Sequence, residues 1–438
     1  MLNNLRIFFL NDIYVKKILL YGIAFRLVLY LLYLSVTVYP MSSNFKHLTS
    51  ILGNFAFEKY TGERTFGYPM FMAFCLNNDY LIATAQFILG IITLIFWYKT
   101  LRNISFTPKK SFYITLFSGS FIHIFFYETA IMNETLILFV TGWIFYLLSD
   151  KFLETGNRKT NWLMALLVGY LIMLKPFFVF VPCLIYGFSV LKNFSFRKII
   201  SHKIVVLLSG LIFYFGWSYV NKLQTGYFVS STFFGLNLAQ NCVHFAENTT
   251  DEYKDLGKVY AKQREKALEE NKDVAMSIWY GIDEIKQTVK IDYFPDFSAY
   301  LGEYAKTTIA LNKEEYLKQI VTVSWVDFWD IDMYWQFFDF PSSFSESFFK
   351  TVWTIQYPIM MIFKLLFILL IPFYLFRFLK DRKITFELMV VTTVFTASVL
   401  QAVVTYGTNS RYSYPFEYLM IIVVFMFLRE MKNKIPKK

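Results

Sequence analysis

The sequence predicts an all-α integral membrane protein: a bundle of about ten transmembrane helices with an extracytoplasmic α-helical domain. Apolar stretches long enough to cross a bilayer recur from Ile18 to Leu428, and Lys and Arg gather at every second end of them. Composition agrees, because 56% of residues are apolar, 21% aromatic and only 17% charged, which is too apolar for a soluble chain of this size.

A helix rises about 1.5 Å per residue, so a bilayer core takes roughly 20 apolar residues. The stretches 18–38, 79–98, 111–127, 134–149, 162–174, 177–191, 204–220, 352–376, 385–405 and 415–428 meet or approach that length. Cytoplasmic loops accumulate Lys and Arg, which sets orientation. Lys16 and Lys17, then Lys99, Arg102, Lys109 and Lys110, then Lys151, Arg158 and Lys159 fall at alternate connections. So do Lys192, Arg197, Lys198 and Lys203, then Arg377, Lys380, Arg382 and Lys383, and finally the run from Arg429 to Lys438. Both termini are therefore expected inside. Two of the outer connections are long, 39–78 and 221–350. The first contains an amphipathic stretch, Phe45 to Tyr60, suited to the membrane interface. The second holds Asp251, Glu252, Asp255, Glu265, Glu269 and Glu270 and predicts solvated helices near 251–272 and 298–320. The chain thus divides into a membrane module over 1–220, an outer domain over 221–350 and a second membrane module over 351–438.

The formal charge of +11 has a topogenic cause in these loops, so no nucleic-acid partner is expected. Ile18 to Tyr39 is too long for the apolar core of a secretory signal and lacks a small-residue cleavage site. Cys75, Cys183 and Cys242 are too scattered for a disulfide framework, although Cys75 and Cys242 could pair outside. The chain has no Walker loop, no G-x-G-x-x-G after a strand, no H-E-x-x-H and no C-x-x-C. His47, His123, His202 and His244 share no ligand-like spacing and read as interfacial or core residues. Neither a metal nor a cofactor is expected.

Short patterns recur at the outer ends of the apolar stretches. Arg26 stands within the first. The first outer loop reaches Arg64-Thr65-Phe66-Gly67-Tyr68-Pro69-Met70-Phe71-Met72-Ala73, followed by Q-F-I-L-G from Gln86 to Gly90. Then come Met132-Asn133-Glu134-Thr135-Leu136 and G-Y-L-I-M-L-K-P from Gly169 to Pro176. Gly226-Tyr227-Phe228-Val229-Ser230-Ser231-Thr232, Gly235-Leu236-Asn237-Leu238 and Arg411-Tyr412-Ser413-Tyr414-Pro415 complete the series. In this order they resemble the integral-membrane GT-C glycosyltransferases. The likeness is to the bacterial branch similar to protein O-mannosyltransferases and to the aminoarabinose and galacturonic acid transferases of lipopolysaccharide, and it runs through nearly the whole chain.

The resemblance implies a cell-envelope enzyme of the bacterial cytoplasmic membrane. It would take a sugar from a polyprenyl-phosphate donor in the outer leaflet and transfer it with inversion to a hydroxyl of a glycan, lipid or protein acceptor. A carboxylate must accept the acceptor's proton, and a cation must stabilise the leaving phosphate. Guanidinium bonds two phosphate oxygens at once, so no divalent ion is required. In the family the base is usually an Asp early in the first outer loop. Here that stretch reads Pro40-Met41-Ser42-Ser43-Asn44-Phe45-Lys46-His47, and no Asp occurs from Ile18 to Asn78. Either another carboxylate has taken over or the standard reaction is not catalysed.

Glu128, in a short outer loop Phe126-Tyr127-Glu128-Thr129, is the first substitute, since neighbouring aromatics would desolvate it; its alternative is a solvated loop glutamate. Glu58 reads as a base or as a polar-face charge of the amphipathic stretch, and Glu63 as a base or as the partner of Arg64. Glu134 is an acid at the outer start of an apolar stretch, where burial is costly without a function, although a helix N-terminus also favours a carboxylate. For the phosphate, the resemblance points to Arg411, flanked by Tyr406, Tyr412 and Tyr414; the alternative is a snorkelling interfacial Arg. Lys175 before Pro176 lies between two short apolar stretches at the outer surface, where the helix break would aim it into the cavity. Arg64, Tyr68, Tyr412 and Asn237 complete the expected binding set, with Lys222 a weaker choice; Lys364, inside the eighth apolar stretch, reads as facing the bundle interior or snorkelling rather than holding substrate. The acids and aromatics from Ser324 to Trp335 suit an acceptor site or an aromatic belt.

Two rival classes remain. An O-antigen ligase or polymerase, whose donor would be a lipid-linked oligosaccharide, also combines many spans, a large outer loop and key arginines. A transporter would show paired halves with matching broken spans, and no such symmetry is visible. The missing early Asp also allows a GT-C-like protein that binds polyprenyl-phosphate without transferring sugar.

Overall fold

The computed structural model describes residues 12–39, 42–54, 56–192, 200, 203–407 and 410–434. Pro40, Met41, Arg197, Lys198, His202 and the basic end 435–438 lie outside the described residues. The fold is all-helical, 80% helix, with no strand among the described residues. An isolated bridge ties Thr37, just past the first helix, to Ala130.

Helices follow the expected apolar stretches, although the first ends at Tyr33, short of the expected 38. They are Ile13–Tyr33, Asp79–Asn103, Pro108–Gly119 with Ile122–Thr129, Glu134–Ser149, Arg158–Leu174, Phe180–Lys192, Ile204–Thr225, Ser343–Asp381, Phe386–Val404 and Glu417–Lys434. By length and composition, four are long and apolar enough to cross a membrane: Asp79–Asn103, Ile204–Thr225, Ser343–Asp381 and Phe386–Val404. Outward-facing Leu20, Ile23, Leu27 and Leu31 on the first helix, and Ile355, Ile362, Leu365, Leu369 and Phe376 on Ser343–Asp381, give apolar surfaces compatible with lipid.

Local chemistry sets the boundaries. Asp12 accepts from the Tyr14 amide and starts the first helix five residues before the expected position 18. Thr107 caps Pro108–Gly119, with Pro108 in the first turn, where its missing N–H costs nothing. The stretch 111–127 is not one helix: it breaks at Ser120 and Phe121. The Gln356 side chain spans the break, accepting from the Ile122 amide at 2.8 Å and donating to the Ser120 carbonyl at 2.9 Å. A side-chain amide thus satisfies backbone groups that would otherwise be buried unpaired.

Two main cores follow. The larger packs the apolar helices around Tyr33, Tyr68, Phe125, Phe126, Leu171 and Phe349. A second, within the 221–350 segment, gathers Leu236, Phe245, Tyr260, Ile278, Phe297 and Tyr304. Its helices Lys254–Glu269, Phe294–Leu311 and Lys313–Gln319 lie close to the expected 251–272 and 298–320. Helix Phe233–Gln240 approaches Phe294–Leu311 so closely that a methyl on Gly235 would strike the Ser298 carbonyl. Cys75, Cys183 and Cys242 are all free, so the Cys75–Cys242 pairing is not formed.

Candidate functional site

The site grows from a helix start and a helix break. Glu134 opens Glu134–Ser149, where the macrodipole favours a carboxylate. The preceding Asn133 donates to the Leu174 carbonyl at 2.6 Å, holding that start against the end of Arg158–Leu174. Pro176 enforces an extended backbone at Lys175, with φ −158° and ψ 109°, so the helix stops and Lys175 turns toward Glu134. Lys175 Nζ lies 3.9 Å from Glu134 Oε1 and 3.4 Å from the ring centroid of Tyr412. Arg411, on the turn Ser410–Tyr412, approaches the same ring at 5.8 Å. Arg64 is clasped between the rings of Phe45 and Phe233 at 5.0 and 4.8 Å. The Glu134 side chain is 3% exposed, and its Oε2 is buried without a hydrogen-bond partner.

These charges act on one another. Burial, reinforced by the positive charge of Arg411, pushes Arg64 down to about 10. Burial opposes the charge of Arg411, yet Tyr334, Tyr412, Glu134 and Tyr127 hold it above its ordinary value. Burial likewise lowers Lys175, against the pull of Tyr412 and Glu134. For Tyr412, burial alone would raise the phenol, but Lys175 and Arg411 bring it below its usual range. Lys175, Arg411 and Arg64 outnumber the carboxylates that act on them, Glu134 and, at Arg64, Glu63, so the cluster suits an anion, which they could bind through charge-assisted hydrogen bonds.

The recurrent sequence patterns build this place. Ser231 Oγ donates to the Glu63 carbonyl and Thr232 Oγ1 to the Thr61 carbonyl, both at 2.8 Å, so the S-S-T segment fixes the loop carrying Arg64. Gly67 lies against the Met173 carbonyl with no room for a Cβ, joining G-Y-P to the segment that ends in Lys175. Ser42, in the first outer connection, is buried and donates to the Ile131 carbonyl at 2.9 Å, close to the start of the Glu134 helix.

Other expected residues lie elsewhere. Glu128 is not in an outer loop: it belongs to Ile122–Thr129, is fully buried, and is filled by Arg26, Nε to Oε2 at 2.7 Å and Nη2 to Oε1 at 2.5 Å. Gly90 makes room for that pair, since a methyl there would strike Glu128 Oε1. Gln86 stands beside it, donating to the Glu128 and Ala130 carbonyls at 2.8 Å and accepting from Tyr68 at 3.0 Å. The Tyr68 hydroxyl is thus engaged inside the core. Glu58 is exposed on the turn Phe57–Lys59. Glu63 accepts from Thr61 Oγ1 at 3.2 Å, and no ion pair with Arg64 is formed. Asn237 is partly exposed on Phe233–Gln240, and Lys222 is exposed. In the Ser324 to Trp335 segment, Phe328 and Trp329 are buried and Trp325 Nε1 donates to Ser398 at 3.0 Å, while Asp330 and Asp332 are exposed. Tyr334 from that segment does act on Arg411, and it meets Tyr39 edge-on at 5.7 Å.

Sequence reasoning missed Glu417. It heads the last helix, 4% exposed, with Lys364 Nζ at 2.8 Å from Oε1 and His123 Nε2 at 2.6 Å from Oε2. An acid opening an apolar stretch was the available signal, the same one that singles out Glu134. Among the described residues, no three His, Cys, Asp or Glu side chains are grouped to hold a metal ion. Comparison with protein-family models, with curated proteins and with solved structures gives no match for this chain.

Proposed function

We propose that this chain is a glycosyltransferase that moves a sugar from a polyprenyl-phosphate donor to a hydroxyl of a glycan, lipid or protein, on the outer face of a bacterial cytoplasmic membrane. The arrangement of Glu134 carries the proposal: one oxygen faces Lys175 at 3.9 Å, the other has no partner, and Arg411 and Arg64 act on the same cluster. In this assignment Glu134 takes the proton of the acceptor hydroxyl. Arg411 and Lys175, supported by Arg64, bind the phosphate oxygens and stabilise the charge that grows as the sugar leaves. Tyr412 positions Lys175 under its ring. The finer architecture belongs to the same proposal: about ten spans, both termini cytoplasmic, and 221–350 as an outer domain.

The test is transfer from synthetic polyprenyl-phosphate sugars by the purified full chain. Glu134→Gln should lower kcat by about a hundredfold or more, and Arg411→Ala should weaken both donor binding and turnover. Full activity in Glu134→Gln ends the base assignment. A wild-type chain that neither transfers sugar nor binds the lipid phosphate ends the whole proposal. One observation favours a second reading, a binder without turnover: no Asp occurs from Ile18 to Asn78, and Glu128 is taken up by Arg26. Lipid-phosphate binding without transfer to any acceptor would select it.

A further inference from the structure

Lys364, Glu417 and His123 come from three helices, Ser343–Asp381, Glu417–Lys434 and Ile122–Thr129, and meet inside the bundle. An ammonium has three hydrogens to donate, and Lys364 has three acceptors on different segments. They are Glu417 Oε1 at 2.8 Å, Ser413 Oγ at 2.7 Å and the Asp330 carbonyl at 2.9 Å. Ser413 Oγ passes its own hydrogen to the Ser410 carbonyl at 2.7 Å, closing the turn that carries Arg411 and Tyr412. The Asp330 carboxylate accepts from the Ile331 amide at 2.7 Å and from Tyr357 at 2.8 Å, fixing the strand of chain that leads to Tyr334. His123 reaches the second oxygen of Glu417 at 2.6 Å, so Nε2 carries the donated hydrogen and the carboxylate is held from both sides.

A buried ion pair that only fills space gains little over apolar packing. This one differs in its reach: two of the three Lys364 acceptors lie on loops, and those loops deliver Arg411 and Tyr334. We propose that Lys364, braced by Glu417 and His123, is a positioning residue that ties the 410–413 turn to the 330–334 segment and so pre-forms the anion site around Glu134 and Lys175. The inference rests on the assignment of that cluster as a lipid-phosphate site.

The test uses the purified full chain in detergent micelles, with amide hydrogen exchange over 326–334 and 405–416 and binding of farnesyl phosphate as two separate readouts. Lys364→Met combined with Glu417→Gln removes the tether without stranding a buried charge, Ser413→Ala removes one bond at the turn, and Lys364→Arg keeps cation and donors. The double variant should speed exchange in both segments and weaken farnesyl phosphate binding by about tenfold. Ser413→Ala should do the same to a smaller extent, and Lys364→Arg should retain most of the affinity. Unchanged exchange in the double variant overturns the tether. Faster exchange with unchanged affinity overturns the positioning role. If wild type does not bind farnesyl phosphate while exchange still responds, the headgroup assignment is what fails, and Lys364 is left as a structural tie only.

Discussion

Glu128 and Glu134 lie close in sequence and are both buried, at 0% and 2% exposure, yet their surroundings differ in kind. Glu128 meets a guanidinium that fills both carboxylate oxygens and whose backbone sits on the neighbouring first helix. Glu134 meets an ammonium at the edge of contact, 3.9 Å away, and keeps one oxygen without a partner. A buried carboxylate whose two oxygens are each bonded by one guanidinium has its charge neutralised in place and belongs to the frame. One that is desolvated and only half engaged retains a capacity to accept a proton. Burial by itself therefore does not locate a reactive acid; the state of its oxygens does.

The contrast breaks most directly through stability. Arg26→Met leaves Glu128 buried without its cation and should cost about 3–5 kcal/mol, whereas Arg26→Met combined with Glu128→Leu should recover most of that loss. Glu134→Gln should cost less than Arg26→Met, because the contact with Lys175 at 3.9 Å is longer than the two hydrogen bonds between Arg26 and Glu128. Unfolding of the purified chain in detergent measures all three, and equal losses for Arg26→Met and Glu134→Gln would erase the distinction.

A second prediction sharpens the same difference through space. At Gly90 an added methyl meets Glu128 Oε1 and Arg26 Nη2, so Gly90→Ala should destabilise by about 1–3 kcal/mol through overpacking. At Gly142 the nearest atom to such a methyl is Thr93 Cγ2 at 3.4 Å, an ordinary contact, and Ala there should be neutral or stabilise by up to about 1 kcal/mol. A neutral Gly90→Ala would show that the Arg26–Glu128 pair is looser than its hydrogen bonds imply.

Much of the fold was legible because apolar length is a local property. The ten stretches carry helices, whereas apolar length alone did not place their ends: the Asp12 cap starts the first helix at Ile13, before the expected 18. The break at Ser120 was not legible, because the residue that satisfies it, Gln356, lies far along the chain. The site divides in the same way. Glu134, Lys175 and Arg411 stand out locally, as an acid at a helix start, a Lys before Pro and an Arg among tyrosines. What sequence could not reveal was pairing: that Arg26 would claim Glu128, that Gln86 would occupy Tyr68, or that Glu417 would gather Lys364 and His123. These are contacts between distant segments, and residue type alone does not choose between them.

Asp327 supplies a carboxylate of a third kind, half-buried and with no ion pair among the described residues. Burial, with the nearby charges of Asp330 and Asp273, raises it from 3.8 to about 6. The folded chain therefore holds this proton more tightly than the unfolded one. That contribution to stability is fully present below about 3.8 and is lost as pH rises through about 6, so at neutral pH the ionised group opposes folding. Asp327→Asn should then stabilise the protein at pH 7.5 by about 1 kcal/mol, allowing for solvent screening, and the advantage should vanish near pH 4. Thermal midpoints of the two proteins at those pH values decide it. A difference that stays constant across the range would mean that packing of the amide, rather than relief of an unpaired charge, is responsible, and that burial without a cation costs less here than the Arg26–Glu128 pair suggests.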